Sequence, residues 1–146
     1  MRDGLWRRPH RWLRWLVLLL AVASSLHYFS TDLPPGERGD AVARAFDARR
    51  SGVWVETEGV VARLLRDDLH GDRHQRFLVE LPRGPTVLVS HNIDLAPRLP
   101  LRVGDRIELR GRYEWNEKGG VIHWTHHDPS NRRAGGWILH DGTRYR

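Results

Sequence analysis

Seven of the nine histidines of this 146-residue chain lie from residue 70 onward: His70, His74, His91, His123, His126, His127 and His140. Imidazole is the side chain most easily switched near neutral pH and the commonest protein ligand for transition metals. On an extended strand, His123 and His127 share one face and His126 points to the other. His91, His123 and His127 are therefore the candidate metal set: two imidazoles from one strand and a third from elsewhere, with His74 or Asp94 as further donors. Such a set suits a divalent transition ion, Zn²⁺ first among them. No recognised ligand spacing accompanies it, and the same residues serve equally well as hydrogen-bonding caps of turns and strands.

The remaining candidates divide by chemistry. In His91-Asn92-Ile93-Asp94 a general base with an orienting carboxylate is conceivable. The composition favours Asx-type turns instead, with Asn92 and Asp94 bonding nearby backbone. His74 and Arg76 alternate onto one strand face, where they would meet an anion or a sugar. Trp124 is either core or a stacking platform, whereas Tyr113 and Trp115 read as core. Asn116 sits in a turn beside them. The ligand-binding candidates are thus His74, Arg76, His91, Asn92, Asn116 and Trp124. Asp67, Asp68 and Asp72 crowd one loop, a weak pattern for a hard cation. No G-x-S-x-G or phosphate-cradling glycine loop occurs. The absence of cysteine excludes thiolate metal sites, cysteine nucleophiles and disulfide staples.

The elements that must position these residues are mostly strands. Asp40 can cap a short helix over Ala41–Arg50, stopped by Gly52. Val53–Leu65 is a long β-branched run whose central Gly59 marks a bulge or bend. Asp67–Asp72 turns into His74–Leu81, which alternates with Gln75, Phe77, Val79 and Leu81 on one face. Thr86–Asn92 follows, then a proline-containing connector to Gly104. Arg106–Trp115 and Val121–His127 form a closing hairpin around Asn116–Gly120. The tail is loop-like apart from Trp137–His140. A bent first strand, a hairpin, a third strand, a connector and a closing hairpin predict a mainly β fold. It is a small five-stranded Greek-key barrel of the OB type with one short N-terminal helix. A small β-sandwich is the rival architecture.

Residues 1–29 are of another kind. Arg2, Arg7, Arg8, Arg11 and Arg14 precede the apolar run Leu16–Ala23, the pattern of a secretory signal peptide or an N-terminal membrane anchor. Residues 30–39 read as linker and 40–146 as the barrel domain. The chain carries 24 Lys plus Arg against 18 Asp plus Glu. Residues 1–29 hold five of those arginines and one aspartate, which leaves 19 and 17 and a net of only +2 beyond them. A high pI from an export segment is no basic face, so nucleic acid is not the expected partner. The expected location is the periplasm, either anchored in the inner membrane or released from it.

Four blocks, HQRFLVEL, SHNIDLAPRLPL, GDRIELRGRYEWNEKGGVIHWTHHDP and GGWILHDG, fall in an order that resembles the DUF3465 family of exported bacterial proteins. The resemblance covers roughly 40–142. It implies a small exported domain and assigns no catalytic residue. The expected function is a cell-envelope binding or interaction module with a histidine-rich rim. Its partners would be the membrane, through the N-terminal helix, and an envelope protein or a small ligand. The alternative is a metal-dependent hydrolase of phosphodiesterase or nuclease type, and a third possibility is an assembly factor for an envelope complex.

Overall fold

The computed structural model describes residues 35–146. Residues 1–29, expected to be a signal peptide or membrane anchor, lie outside the described residues. No helix among the described residues is long and apolar enough to cross a membrane.

Helix α1 spans Pro35–Asp47. It starts six residues before Ala41, the start that an Asp40 cap implies, inside the stretch that reads as linker. Proline ends a helix from within, yet its fixed φ and missing N–H suit the first helical turn. The helix also stops before Gly52. Arg49 takes a left-handed backbone (φ 50°), its N–H bonds Phe46 O, and the Arg50 N–H bonds Ala45 O at 2.8 Å. This is a Schellman closure without the usual glycine. Val42 and Ala45 are buried and seat the helix on the first strand.

The strands are β1 (Val53–Leu64), β2 (His74–Glu80), β3 (Val87–Asn92), β4 (Arg106–Glu114), β5 (Val121–His123), β6 (Trp137–His140) and β7 (Thr143–Tyr145). The first five close on themselves in the order β1-β2-β3-β5-β4, with β4 returning to β1. β3 and β5 run parallel, and every other pair is antiparallel. The expected five-stranded Greek-key barrel with one short helix is therefore the architecture found.

Closure depends on β1 serving two neighbours. Its residues 53–60 pair with β4, and residues 60–64 pair with β2. Gly59 lies at the handover, where a Cβ would come within 2.6 Å of Glu80 O and 2.5 Å of the Val79 side chain. The irregularity in register follows between Val61 and Arg63. The predicted bend is real, displaced by a few residues from its glycine.

Alternating side chains fill the barrel: Phe77, Val79, Val87, Val89, Leu109, Tyr113, Ile122 and Ile138 are fully buried. Tyr113 donates its hydroxyl to Gly119 O at 3.0 Å, which satisfies the one polar atom the ring carries inside. Leu99 and Leu101 of the β3–β4 connector join the core, in place of the helix that OB-type folds often carry there. Gln75 ties that connector down, donating Nε2–H to Leu99 O and accepting from Leu99 N, both at 2.9 Å.

Two differences from the sequence-based expectation bear on function. β5 ends at His123 rather than His127, because Trp124 adopts φ 56° and breaks the pleat. The tail then returns as a β6–β7 hairpin. β6 takes the edge of β4 beside Ile107–Arg110, while β5 holds that same edge at Arg112–Glu114.

Candidate functional site

The break at Trp124 decides which imidazoles meet. A regular strand would separate His123 from His126. With the left-handed residue between them, both line one cavity of about 470 Å³. His74 and Asn92, register partners at the ends of β2 and β3, complete its strand-borne wall. Asp72 and Leu95 come from the flanking loops, and Asp128, Ser130 and Arg132 from the loop that follows β5.

Trp124 is 41 % exposed. Its ring stacks on His126 (centroids 5.8 Å apart, planes 24° apart) and meets His123 edge-on at 6.3 Å. A left-handed backbone at a bulky residue persists only where the surroundings enforce it. Here the Gly135–Gly136 pair does so. A Cβ on Gly136 would stand 2.0 Å from Trp124 O, and one on Gly135 would stand 2.7 Å from Asp128 N. The Gly136 N–H donates to His126 O at 2.7 Å. Only a side-chain-free backbone lies this close over residues 124–128.

The imidazoles of the site are held in defined tautomers. His74 and His126 each donate Nδ1–H to a main-chain carbonyl, Asp72 O and His127 O respectively, at 2.7 Å. A carbonyl accepts only, so Nε2 of each neutral ring carries the lone pair. His123 differs: its Nε2 stands 3.5 Å from Glu114 Oε1, too far for a good hydrogen bond. Burial pushes its pKa down, and the Glu114 carboxylate partly opposes that shift.

His91 lies behind this wall and is fully buried. Nε2 donates to Pro97 O at 3.2 Å, and Nδ1 accepts from the Thr125 hydroxyl at 2.8 Å. Burial pushes its pKa down to about 4, helped by the nearby His126 and His74 and opposed by the bonds to Pro97 and Thr125. A neutral ring with both nitrogens engaged offers neither a lone pair to a metal nor a base to a substrate. Asp94, the carboxylate that could have oriented it, instead holds Arg73: its Oδ2 takes the backbone N–H and its Oδ1 the guanidinium Nε, both at 2.7 Å. Those two bonds hold the Asp94 carboxyl below its usual range.

The other candidates disperse. His127 is exposed and does not line the cavity. No group of three or more His, Cys, Asp or Glu side chains able to hold a metal ion occurs among the described residues. Of His91, His123 and His127, only His123 lines this cavity. Asn92 accepts from Asp94 N and Leu95 N at 2.9 and 3.2 Å, the Asx-type turn that its sequence context favours. Asn116 does the same for Lys118 N and Gly120 N. Arg76 bonds Arg66 O and lines a smaller hollow beside Leu99 and Arg98. Of the three loop aspartates, Asp67 pairs with Arg98 and Asp68 with His70, so only Asp72 reaches the mouth.

Sequence reasoning missed His126, Asp128, Ser130 and Arg132. The signal for the last three was Asp128-Pro-Ser-Asn, a turn-forming stretch. Asp128 accepts from Ser130 N, Ser130 Oγ, Arg132 N and Arg133 N, at 2.8–3.1 Å. One carboxylate thus folds the whole loop, and these bonds hold its pKa below the ordinary value.

A second cavity of about 500 Å³ opens where β1 passes from β4 to β2. Glu58, Glu80, Glu108, Asp141 and Arg106 rim it over Leu81 and Ile107. It presents no aromatic face and no imidazole, so the chemistry points to the mouth beside Trp124.

A family model described as "Protein of unknown function (DUF3465)" matches residues 19–146. No curated protein and no solved structure matches the chain.

Proposed function

The chain belongs to the DUF3465 family of proteins of unknown function, and on that footing we propose that it is a small-ligand binding module of the cell envelope. The binding site is the mouth lined by His74, His123, Trp124 and His126. One observation carries this reading: a half-exposed tryptophan, held in a costly backbone conformation, faces a cavity of about 470 Å³. Ligand sites typically occupy about 300–1,000 Å³, with an apolar face and a few placed polar groups. The tautomers fixed at His74 and His126 supply two such groups. The arginines and apolar run of residues 1–29 support delivery to the envelope.

The test is a titration of the full chain with a chemically mixed set of small fragments, followed through the indole N–H signals of its seven tryptophans. Trp124→Phe identifies the signal of interest. Saturable shifts at Trp124, with the other six indoles still, are expected. A set in which no fragment moves that signal refutes the binding-module reading. Cell fractionation with external protease tests the location, and a chain found wholly in the cytoplasm refutes that part.

A further inference from the structure

Arg132 is the residue of the mouth whose chemistry the reading above leaves unused. Its Nε donates to Ser130 Oγ at 3.2 Å, and Ser130 Oγ in turn donates to Asp128 at 2.8 Å. This relay orients the guanidinium from the side of Nε. The two Nη groups have no hydrogen bond or ion pair with any described residue. The nearby Asp128 carboxylate is already saturated by its own turn. A guanidinium whose outer edge carries two nitrogens matches a carboxylate or phosphate in bidentate fashion.

From the pairing of that cation with the exposed indole in one cavity we infer that the mouth takes a planar aromatic ring bearing an anionic substituent, a carboxylate or a phosphate monoester. The inference rests on the binding-module reading and names its ligand class. The ring lies against the exposed part of Trp124, an indole that His126 backs from one side. The anion meets the Nη groups of Arg132. His74, whose Nδ1 is engaged by Asp72 O, lines the same cavity and presents its outer ring nitrogen to the ring edge. The Asp72 carboxylate on the same rim disfavours ligands with a second negative charge spread around the ring.

Four probes separate the contributions in the unmodified full chain: phenyl phosphate, benzoate, inorganic phosphate and benzyl alcohol. The Trp124 indole signal reports binding. Phenyl phosphate or benzoate is expected to bind at least about tenfold more tightly than either benzyl alcohol or inorganic phosphate, as a charge-assisted bidentate contact allows. Which of the two binds better identifies the anion. Arg132→Gln is expected to erase the preference over benzyl alcohol while leaving the melting temperature unchanged, because that side chain is exposed. Arg132→Lys is expected to restore part of it. Equal binding of benzyl alcohol and phenyl phosphate overturns the inference while leaving the binding module standing. Arg132→Gln with the preference intact overturns it too, as does silence from all four probes.

Discussion

His91 bonds the Thr125 side chain and His126 follows Thr125 in the chain, yet the two imidazoles are built for opposite purposes. His91 is fully buried, and both ring nitrogens are closed off by Thr125 and Pro97. His126, like His74, gives one nitrogen to a main-chain carbonyl, and its ring lines a cavity. The interior layer of Gln75 and His91, neighbours across β2 and β3, locks the connector to the barrel. The mouth layer of His74, His123 and His126 surrounds open volume. Histidine density alone therefore carries no functional meaning. What separates the structural imidazole from the available one is the number of nitrogens the fold has already satisfied.

The interior layer gives the largest expected effect. His91→Ala strands the Thr125 hydroxyl and the Pro97 carbonyl and leaves a cavity, at a cost of about 3–4 kcal/mol. The measurement is the urea midpoint at neutral pH, and a loss below about 1 kcal/mol would mean that this layer is not the lock described. The same ring sets a pH dependence. Its pKa is about 4 in the folded chain against an ordinary 6.5, so between those values the unfolded chain binds the extra proton. Stability is thus complete above about pH 6.5 and falls by on the order of 3 kcal/mol as pH drops to about 4. His123, also shifted down, adds in the same direction. Asp94, Asp105 and Asp128, with lowered pKa values, add their own loss at lower pH. His91→Gln is expected to flatten the upper part of this dependence. A slope equal to that of the unmodified chain would assign the effect elsewhere.

The barrel was legible because its information is local. Phe77, Val79 and their neighbours alternate with polar residues, Gly59 interrupts a run too long for one straight strand, and Asn116–Gly120 is turn chemistry. The mouth was less legible because its decisive feature is non-local. Nothing about VIHWTHH announces that Trp124 will turn left-handed. That outcome depends on Gly135–Gly136 packing over the Trp124 carbonyl from a dozen residues further on. Continuing the alternation through His127 placed the wrong imidazole, His127 rather than His126, beside His123. The helix start is hidden for a simpler reason: Pro35, within a stretch that reads as linker, opens the first turn.

That clamp is testable separately from both layers. Gly136→Ala puts a methyl within 2.0 Å of Trp124 O and 2.5 Å of Arg110 O. Both are backbone atoms, so no rotamer change relieves the contact. About 1–3 kcal/mol of destabilisation is expected, together with loss of fragment binding at the Trp124 indole. If Gly136→Ala kept full binding, the left-handed turn would not be what assembles the mouth.

The smallest expected change in stability distinguishes the layers most sharply. Trp124→Gly removes the steric penalty of a left-handed non-glycine residue, about 1–2 kcal/mol. It forfeits the stack on His126, about 0.5–1.5 kcal/mol, and the burial of part of the ring. These contributions oppose one another, so stability should stay within about 1 kcal/mol of the unmodified chain. Affinity for ring ligands, read by perturbation of the loop amides, should fall at least about tenfold. A buried anchor behaves otherwise, since removing a fully packed tryptophan costs about 3–5 kcal/mol. Destabilisation of that size would make Trp124 part of the interior layer. A near-neutral change with binding lost would mean that the chain carries strain at Trp124 for the sake of the surface it presents.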